Sequence, residues 1–147
     1  MTQVDFHFNA TDKLHYVCRL LRKIYKSGKK TVVYCGDGAQ LTQLDQALWS
    51  FSPLDFLPHV RAGDALASAT PIILLNQASD TAQLAATHHD VLVNLGRDMP
   101  PMFSRFDRLV EVVEEAEEDR LQARVRWKFY KDRGYPLNTY DLSKQAG

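Results

Sequence analysis

The hydrophobic positions near the start of the chain first alternate with polar ones and then recur at helical spacing. Alternation over residues 4–8 predicts a strand with one buried face. The polar residues 9–12 can cap the element that follows. Between Leu14 and Tyr25 the apolar residues return every three or four positions, which predicts an amphipathic helix that Gly28 ends.

Short apolar runs and helical patterns continue to alternate along the rest of the chain. Further buried strands are predicted at residues 31–34, 72–75, 91–95 and 109–113. A second helix carries an apolar inner face formed by Leu41, Leu44, Leu48 and Phe51. Pro53, Pro58 and Gly63 mark a long connection after it, and a last helix spans roughly residues 117–133. This order predicts a single α/β domain over residues 1–147, with a mostly parallel central sheet between two helical layers.

Two faces of the last helix differ in character. Leu121, Val125 and Phe129 recur at helical spacing, and we expect them to face inward. A second stripe, about 120° away, should be exposed and consists of Arg120, Arg124, Trp127 and Lys131. Cations beside an exposed indole suit a ligand that has a carboxylate and a bulky apolar group. A solvated helix face explains the stripe equally well, because acidic residues precede basic ones and complement the helix dipole.

A second candidate surface lies after the second helix. Trp49 lies about 120° from the centre of that helix's apolar stripe. The nonpolar residues that come after it are Phe51, Pro53, Leu54, Phe56 and Pro58. Together they indicate an apolar patch that meets a partner protein. The alternative is that the loop folds back and buries Trp49 locally.

Composition and charge exclude several classes of protein. Of the 147 residues, 45% are hydrophobic and 24% are charged, and the longest apolar runs are far too short to span a membrane. Residues 1–5 carry no secretory signal, and two cysteines form no disulfide framework, so we expect a cytoplasmic protein. Eighteen basic residues balance eighteen acidic ones, so we expect DNA to be reached only through a partner.

The candidate enzyme motifs are incomplete. Residues 36–38 (GDG) follow a strand and open a helix, but the third glycine of a dinucleotide-binding loop is replaced by Leu41. A small nucleotide-binding or hydrolytic enzyme that uses this loop is the alternative function. Cys35 has no basic neighbour in the following turn to lower its pKa. Residues 88–90 (HHD) have no second ligand cluster nearby, so we expect no metal, no cofactor and no catalytic residues.

Several of these segments carry a resemblance to a known family. They are residues 27–30 (SGKK), 44–49 (LDQALW), 56–59 (FLPH), 124–130 (RVRWKFY) and 134–139 (GYPLNT). Over nearly its whole length the chain resembles the chi subunit of bacterial DNA polymerase III, a non-catalytic accessory subunit. The resemblance implies a fold related to nucleotide-binding domains but without their site.

The resemblance also implies two partners. One is the psi subunit, which would join the chain to the clamp loader as a 1:1 heterodimer. The psi surface carries over onto the apolar patch of Trp49, Phe51, Leu54, Phe56 and Pro58. The other partner is the acidic C-terminal tail of single-stranded-DNA-binding protein, which ends in Pro-Phe and a free carboxylate. The tail site carries over onto Arg120, Arg124 and Trp127, with Lys131 beside them, although other members have Lys and Tyr where this chain has Arg120 and Trp127.

Overall fold

A computed structural model describes residues 1–51, 56–76, 84 and 86–144. The strands are β1 (Gln3–Ala10), β2 (Thr31–Tyr34), β3 (His59–Arg61), β4 (Ile72–Leu75), β5 (Val91–Asn94), β6 (Arg108–Glu114) and β7 (Leu137–Asp141). The helices are α1 (Lys13–Lys26), α2 (Gly38–Ser50) and α3 (Glu117–Asp132). Among the described residues, no helix is long and apolar enough to cross a bilayer.

The strands form one sheet in the order β3-β4-β2-β5-β6-β1-β7, and every strand pairing in the described residues is parallel. The chain moves across the sheet in one direction from β1 to β2 to β3, and α1 and α2 make these connections. It then returns in the opposite direction, and α3 connects β6 to β7 by crossing over β1. Crossovers of one hand that run in opposite directions lie on opposite faces of a sheet. The predicted three-layer α/β fold is therefore confirmed.

Helix ends follow the signals in the sequence. The side chain of Asp12 caps α1 by accepting a 3.1 Å hydrogen bond from the His15 amide. Asp37 caps α2 in the same way, at 2.8 Å from the Gln40 amide. Gly28, just after α1, has a φ of +84°, a left-handed conformation that favours glycine and ends the helix.

Two strands were not predicted. β3 has three residues and follows Pro58, so it is too short to show a pattern. β7 lies at the edge of the sheet, and its central residues are exposed, so it lacks the alternation of a half-buried strand. Residues 52–55, which include Pro53 and Leu54, lie outside the described part of the chain.

The predicted inward face of α3 is wrong. Leu121 is 50% exposed and Val125 is 68% exposed, and Phe129 is partly buried. The residues that α3 buries are instead Asp119, Ala123, Arg126 and Tyr130. The physical reason lies in β6, where the fully buried carboxylate of Glu111 requires a cation and hydrogen-bond donors on the helix that covers it.

Candidate interaction sites

A groove of about 240 Å³ lies where α3 crosses the edge of the sheet. Its lining comes from β1, β6, α3 and β7 and consists of Phe6, Phe8, Val113, Arg120, Ala123, Arg124, Trp127 and Thr139. The floor is apolar because the lining side chains of β1 and β6 and the small Ala123 contribute no charge. We call this feature the α3 groove.

Trp127 is held in the α3 groove by a ring contact with β1. Its indole packs edge-on against Phe6, with ring centroids 5.4 Å apart and an angle of 72° between the planes. Phe6 is 4% exposed, so it provides a fixed surface for the indole. Trp127 itself is partly buried, and one part of the ring therefore stays available to a ligand.

Two arginines border the α3 groove. Arg120 and Arg124 are one helical turn apart on α3, and both side chains are exposed. Neither forms an ion pair with any residue in the described ranges, so their guanidinium groups remain open to an anionic ligand. Lys131 is exposed in the last turn of α3, one turn beyond Trp127, and does not line the groove. The structure thus brings three of the four predicted tail-site residues together and leaves Lys131 at the periphery.

The other walls of the α3 groove were not predicted from the sequence. Phe6 and Phe8 alternate with a histidine in β1, and this pattern already placed both rings on one face of the strand. Thr139 lies in the unpredicted strand β7, where no sequence signal was available.

A buried polar cluster fixes α3 against the sheet. Tyr130 donates a 2.7 Å hydrogen bond to Glu111 Oε2, and Asn94 Nδ2 donates a 2.8 Å hydrogen bond to Glu111 Oε1. Arg126 Nε lies 3.2 Å from the same Oε1 atom, and the Arg126 guanidinium also donates to the carbonyl oxygen of Arg97. Burial raises the pKa of Glu111, and the charge of Arg126 opposes that shift. The cluster sets the position of α3 and therefore the width of the α3 groove.

The second candidate surface is an exposed aromatic pair. Trp49 is 59% exposed and Phe56 is 64% exposed, and their ring centroids lie 5.4 Å apart. Trp49 is therefore not buried by a loop that folds back over it, which was the alternative that the sequence left open. Beneath the pair, the buried ring of His59 lies 4.8 Å from the Trp49 ring. His59 is held by the Leu57 carbonyl oxygen, 2.6 Å from Nδ1, and by Asp45, whose Oδ1 lies 3.1 Å from Nε2.

The other residues predicted for this surface differ in position. Pro58 is half-buried beside the pair. Phe51 packs against the core between α1 and α2, with its ring edge-on to His15 at a centroid distance of 5.6 Å. Leu54 lies outside the described residues. We call the pair formed by Trp49 and Phe56 the aromatic patch.

The loop at residues 36–38 lies at the carboxyl end of the sheet, where nucleotides bind in related folds. The Gly36 amide donates a 2.6 Å hydrogen bond to Gln40 Oε1, and Gln40 Nε2 donates to the Leu95 carbonyl oxygen at 3.3 Å. A Cβ added to Gly96 would lie 3.2 Å from the Gly36 Cα, so these two glycines serve the close approach of two loops. The cavity beside them, of about 510 Å³, is lined by several carboxylates: Asp37, Asp98, Glu114, Glu118 and Asp119. The occupied Gly36 amide and the carboxylates of the cavity, two of which are paired with Lys13 and Arg97, disfavour a bound phosphate.

The remaining candidates for chemistry are structural or exposed. Burial raises the pKa of Cys35 to about 12 and that of Cys18 to about 11, so both thiols stay protonated. His88 is buried, with Nε2 at 2.6 Å from the Thr70 carbonyl oxygen. The ligand atoms of His89, Asp90 and Asp107 lie within 4.8 Å of one another at the surface. Asp90 already accepts a 2.9 Å hydrogen bond from the Lys30 amide, and this exposed group supports no assignment.

Comparison with known proteins identifies the family. Residues 1–138 match the family described as "DNA polymerase III chi subunit, HolC". The chain belongs to this family. The chi subunit of Pseudomonas aeruginosa DNA polymerase III is 32% identical over 148 residues, which cover 98% of this chain and 99% of that protein. The Haemophilus influenzae chi subunit is 31% identical over 85% of this chain and 84% of its own length. The Escherichia coli chi subunit is 28% identical over 94% and 89%.

Membership of the chi family confirms the resemblance seen in the sequence. It assigns the chain an accessory role in bacterial DNA replication, as a subunit of a DNA polymerase III complex.

Proposed function

We propose that the chain is a non-catalytic adaptor with two separate protein-binding surfaces. The α3 groove binds the acidic C-terminal tail of single-stranded-DNA-binding protein, and the aromatic patch binds psi, which connects the chain to the clamp loader. The observation that carries the proposal is the α3 groove itself, an apolar depression with two arginines at its rim that have no ion-pair partner among the described residues. The chain would act as one half of a 1:1 heterodimer with psi.

The shape and charge of the α3 groove suit the end of such a tail. A terminal phenylalanine fits against the exposed part of the Trp127 ring and the apolar floor. The terminal carboxylate then lies near Arg124, one helical turn from Trp127, whose guanidinium can donate two parallel hydrogen bonds. Arg120 and Lys131 attract the acidic residues that precede the terminus, at a longer range that salt screens.

The aromatic patch suits a mostly apolar partner. Its two large rings lie next to each other, and each is more than half exposed. The buried ring of His59 supports them, so they form a rigid anchor of the kind found at interface centres. The α3 groove lies on α3 and the strands β1 and β7 at one edge of the sheet, whereas the patch lies at the end of α2 next to β3 at the opposite edge. Both partners can therefore bind at once.

Titration calorimetry with a tail peptide tests the proposal. A flexible peptide loses conformational entropy on binding, so we expect a dissociation constant of about 1 µM. Arg124→Ala should weaken binding by roughly 2 kcal/mol, about thirtyfold, because it removes the bidentate contact. Lys128→Ala, an exposed cation on the same helix that does not line the groove, is the matched control and should bind like the unaltered protein.

Two results would contradict the tail site. One is an Arg124→Ala variant that binds as tightly as the unaltered chain. The other is equal affinity for a peptide that lacks its terminal phenylalanine, since the apolar floor would then have no role.

A further inference from the structure

The charges of the chain are segregated, although their sum is zero. Residues 13–30 contain seven basic and no acidic side chains, whereas residues 111–119 contain six acidic and no basic ones. The expectation that DNA is reached only through a partner rested on the net balance of eighteen basic and eighteen acidic residues. A net charge does not report where the charges lie, and a local basic surface is what attracts a phosphate backbone.

One face of α1 carries a row of cations. Arg19, Lys23 and Lys26 follow at i, i+4 and i+7, so they share one side of the helix, and all three are exposed. Together with Arg22 they line a shallow depression of about 250 Å³. In the described part of the chain, Lys23 and Lys26 form no ion pair, so their ammonium groups are open to an external anion.

A larger depression of about 540 Å³ continues this surface. Its cations are Arg19, Lys23, Lys29 and Arg108. Arg108 is already paired with the buried carboxylate of Asp5, and no carboxylate of the described residues lines either depression. The surface therefore keeps a positive excess that comes mainly from lysines. We call the two depressions together the α1 basic face.

The α1 basic face lies on the other side of the sheet from the α3 groove. In β1, Phe6 and Phe8 line the α3 groove, and His7 between them lines the basic depression. In β7, Thr139 belongs to the α3 groove and Tyr140 to the basic depression. A ligand on one side thus leaves the other side open, so binding at the α1 basic face is independent of the proposed tail site.

We infer that the α1 basic face binds the backbone of single-stranded nucleic acid. Charge selects a polyanion, and the aromatic rings select among polyanions. Tyr140, 41% exposed on β7, and the partly buried Tyr16 of α1 both line the larger depression. Bases stack on such rings irrespective of sequence, whereas an acidic peptide or a lipid surface has no flat group to stack.

Fluorescence anisotropy with a labelled thymidine oligonucleotide of about 20 nucleotides tests this assignment on the full chain. At about 50 mM salt we expect a dissociation constant of about 10 µM that weakens steeply as salt is added. Lys23→Glu/Lys26→Glu should weaken binding by about tenfold or more and lower the slope of log affinity against log salt by about 1.4. Lys23→Gln/Lys26→Gln should change binding in the same direction by a smaller factor.

The matched control is Lys128→Glu/Arg133→Glu, which makes the same change in net charge on exposed residues at the end of α3. It should bind the oligonucleotide within about twofold of the unaltered chain, because screening confines the effect to nearby charges. Equal weakening in both double variants would overturn the assignment, since net charge alone would then explain the binding. Thermal unfolding of each variant shows that the fold is retained.

A second comparison separates nucleic acid from other polyanions. Tyr140→Leu should weaken binding of the thymidine oligonucleotide by about fivefold or more but leave an abasic oligonucleotide of equal length unaffected. A glutamate-rich peptide of equal charge should compete poorly. If that peptide binds as tightly as the thymidine oligonucleotide, the α1 basic face is a site for acidic protein segments. If the abasic oligonucleotide binds as tightly, the tyrosine rings do not stack on bases. Either result makes the inference wrong.

Discussion

Tyr130 on α3 donates a 2.7 Å hydrogen bond to Glu111 on β6, and both side chains are completely buried. Burial raises the pKa of both groups, so the hydroxyl and the carboxyl depend on each other and on Arg126 for their polar partners. A polar contact at this depth determines where α3 lies on the sheet, and its removal should therefore be measurable as a loss of stability.

Tyr130→Phe should destabilise the fold by about 1–3 kcal/mol, because it leaves one oxygen of a buried carboxylate without its donor. Urea-induced unfolding measures this loss. Tyr135→Phe is the control, since Tyr135 packs in the same aromatic cluster but its hydroxyl has no hydrogen-bond partner in the described residues. A loss of equal size in both variants would show that the hydrogen bond to Glu111 contributes nothing specific.

Stability should fall as the pH is lowered through the range in which His7 titrates. Burial lowers the pKa of His7 from 6.5 to about 4, so the unfolded chain binds a proton between these values and the folded chain does not. The stability that the fold gains because His7 is neutral is fully present above pH 6.5, and it is lost progressively as the pH falls to about 4. Its full size is about 3 kcal/mol.

The measurement is the free energy of unfolding of His7→Gln at several pH values. The variant should lose less stability than the unaltered chain between pH 6.5 and about 4. His15→Gln, which removes an exposed histidine, is the control and should follow the unaltered chain. Parallel curves for all three proteins would contradict the prediction.

Trp127→Tyr should keep most of the tail affinity, and Trp127→Ala should lose about tenfold or more. A tyrosine ring can still pack edge-on against Phe6, whereas alanine removes the aromatic ring from this side of the α3 groove. The same peptide calorimetry measures both. If the two variants bind equally, the ring at this position is not what holds the terminal phenylalanine.

Phe56→Ala should weaken psi binding by about 2 kcal/mol, about thirtyfold, and leave tail binding unchanged. The ring is 64% exposed, so its removal leaves no cavity in the core. Val125→Ala is the matched control, because Val125 is 68% exposed and lies on α3, at the opposite edge of the sheet from the aromatic patch. Surface plasmon resonance with immobilised psi measures the affinity of both variants. An equal loss of affinity in the two would show that Phe56 is not a specific anchor for psi.

The loop at residues 36–38 should neither bind nor hydrolyse mononucleotides. Gln40→Ala frees the Gly36 amide, yet the surrounding carboxylates still repel a phosphate, so thermal-shift screening should find no nucleotide effect in either protein. Hydrolysis that is lost in Gly36→Ala/Gly38→Ala would instead establish the enzyme alternative.

The sequence predicted the α/β class, the parallel sheet and the cap of α1, because these depend on local periodicity and on polar residues next to the start of a helix. It failed on the inner face of α3, where Leu121 and Val125 were expected to be buried. Glu111 lies in the apolar run of β6, and a carboxylate there indicates a partner cation on the covering helix. This pattern favours Arg126 as a buried residue of α3.

The sequence predicted the residues of the candidate site that lie on α3 but not those that the strands contribute. Arg120, Arg124 and Trp127 share a helical stripe, and the structure brings all three to one groove. Thr139 could not be found, because β7 is an edge strand with exposed side chains and so has no hydrophobic pattern. Which residues of a helix meet which strand is a long-range property that local spacing does not encode.

The first strand of the chain pairs with two strands from its last third, since β1 lies between β6 and β7. During synthesis, β1 therefore gains its two neighbouring strands only after most of the chain has left the ribosome. The α3 groove joins side chains of β1 to side chains of β6, α3 and β7, so its walls come together only after residues 108–141 have been synthesised. A product truncated before Leu137 lacks β7 and with it Thr139, one wall of the α3 groove, so such a fragment presents an incomplete site.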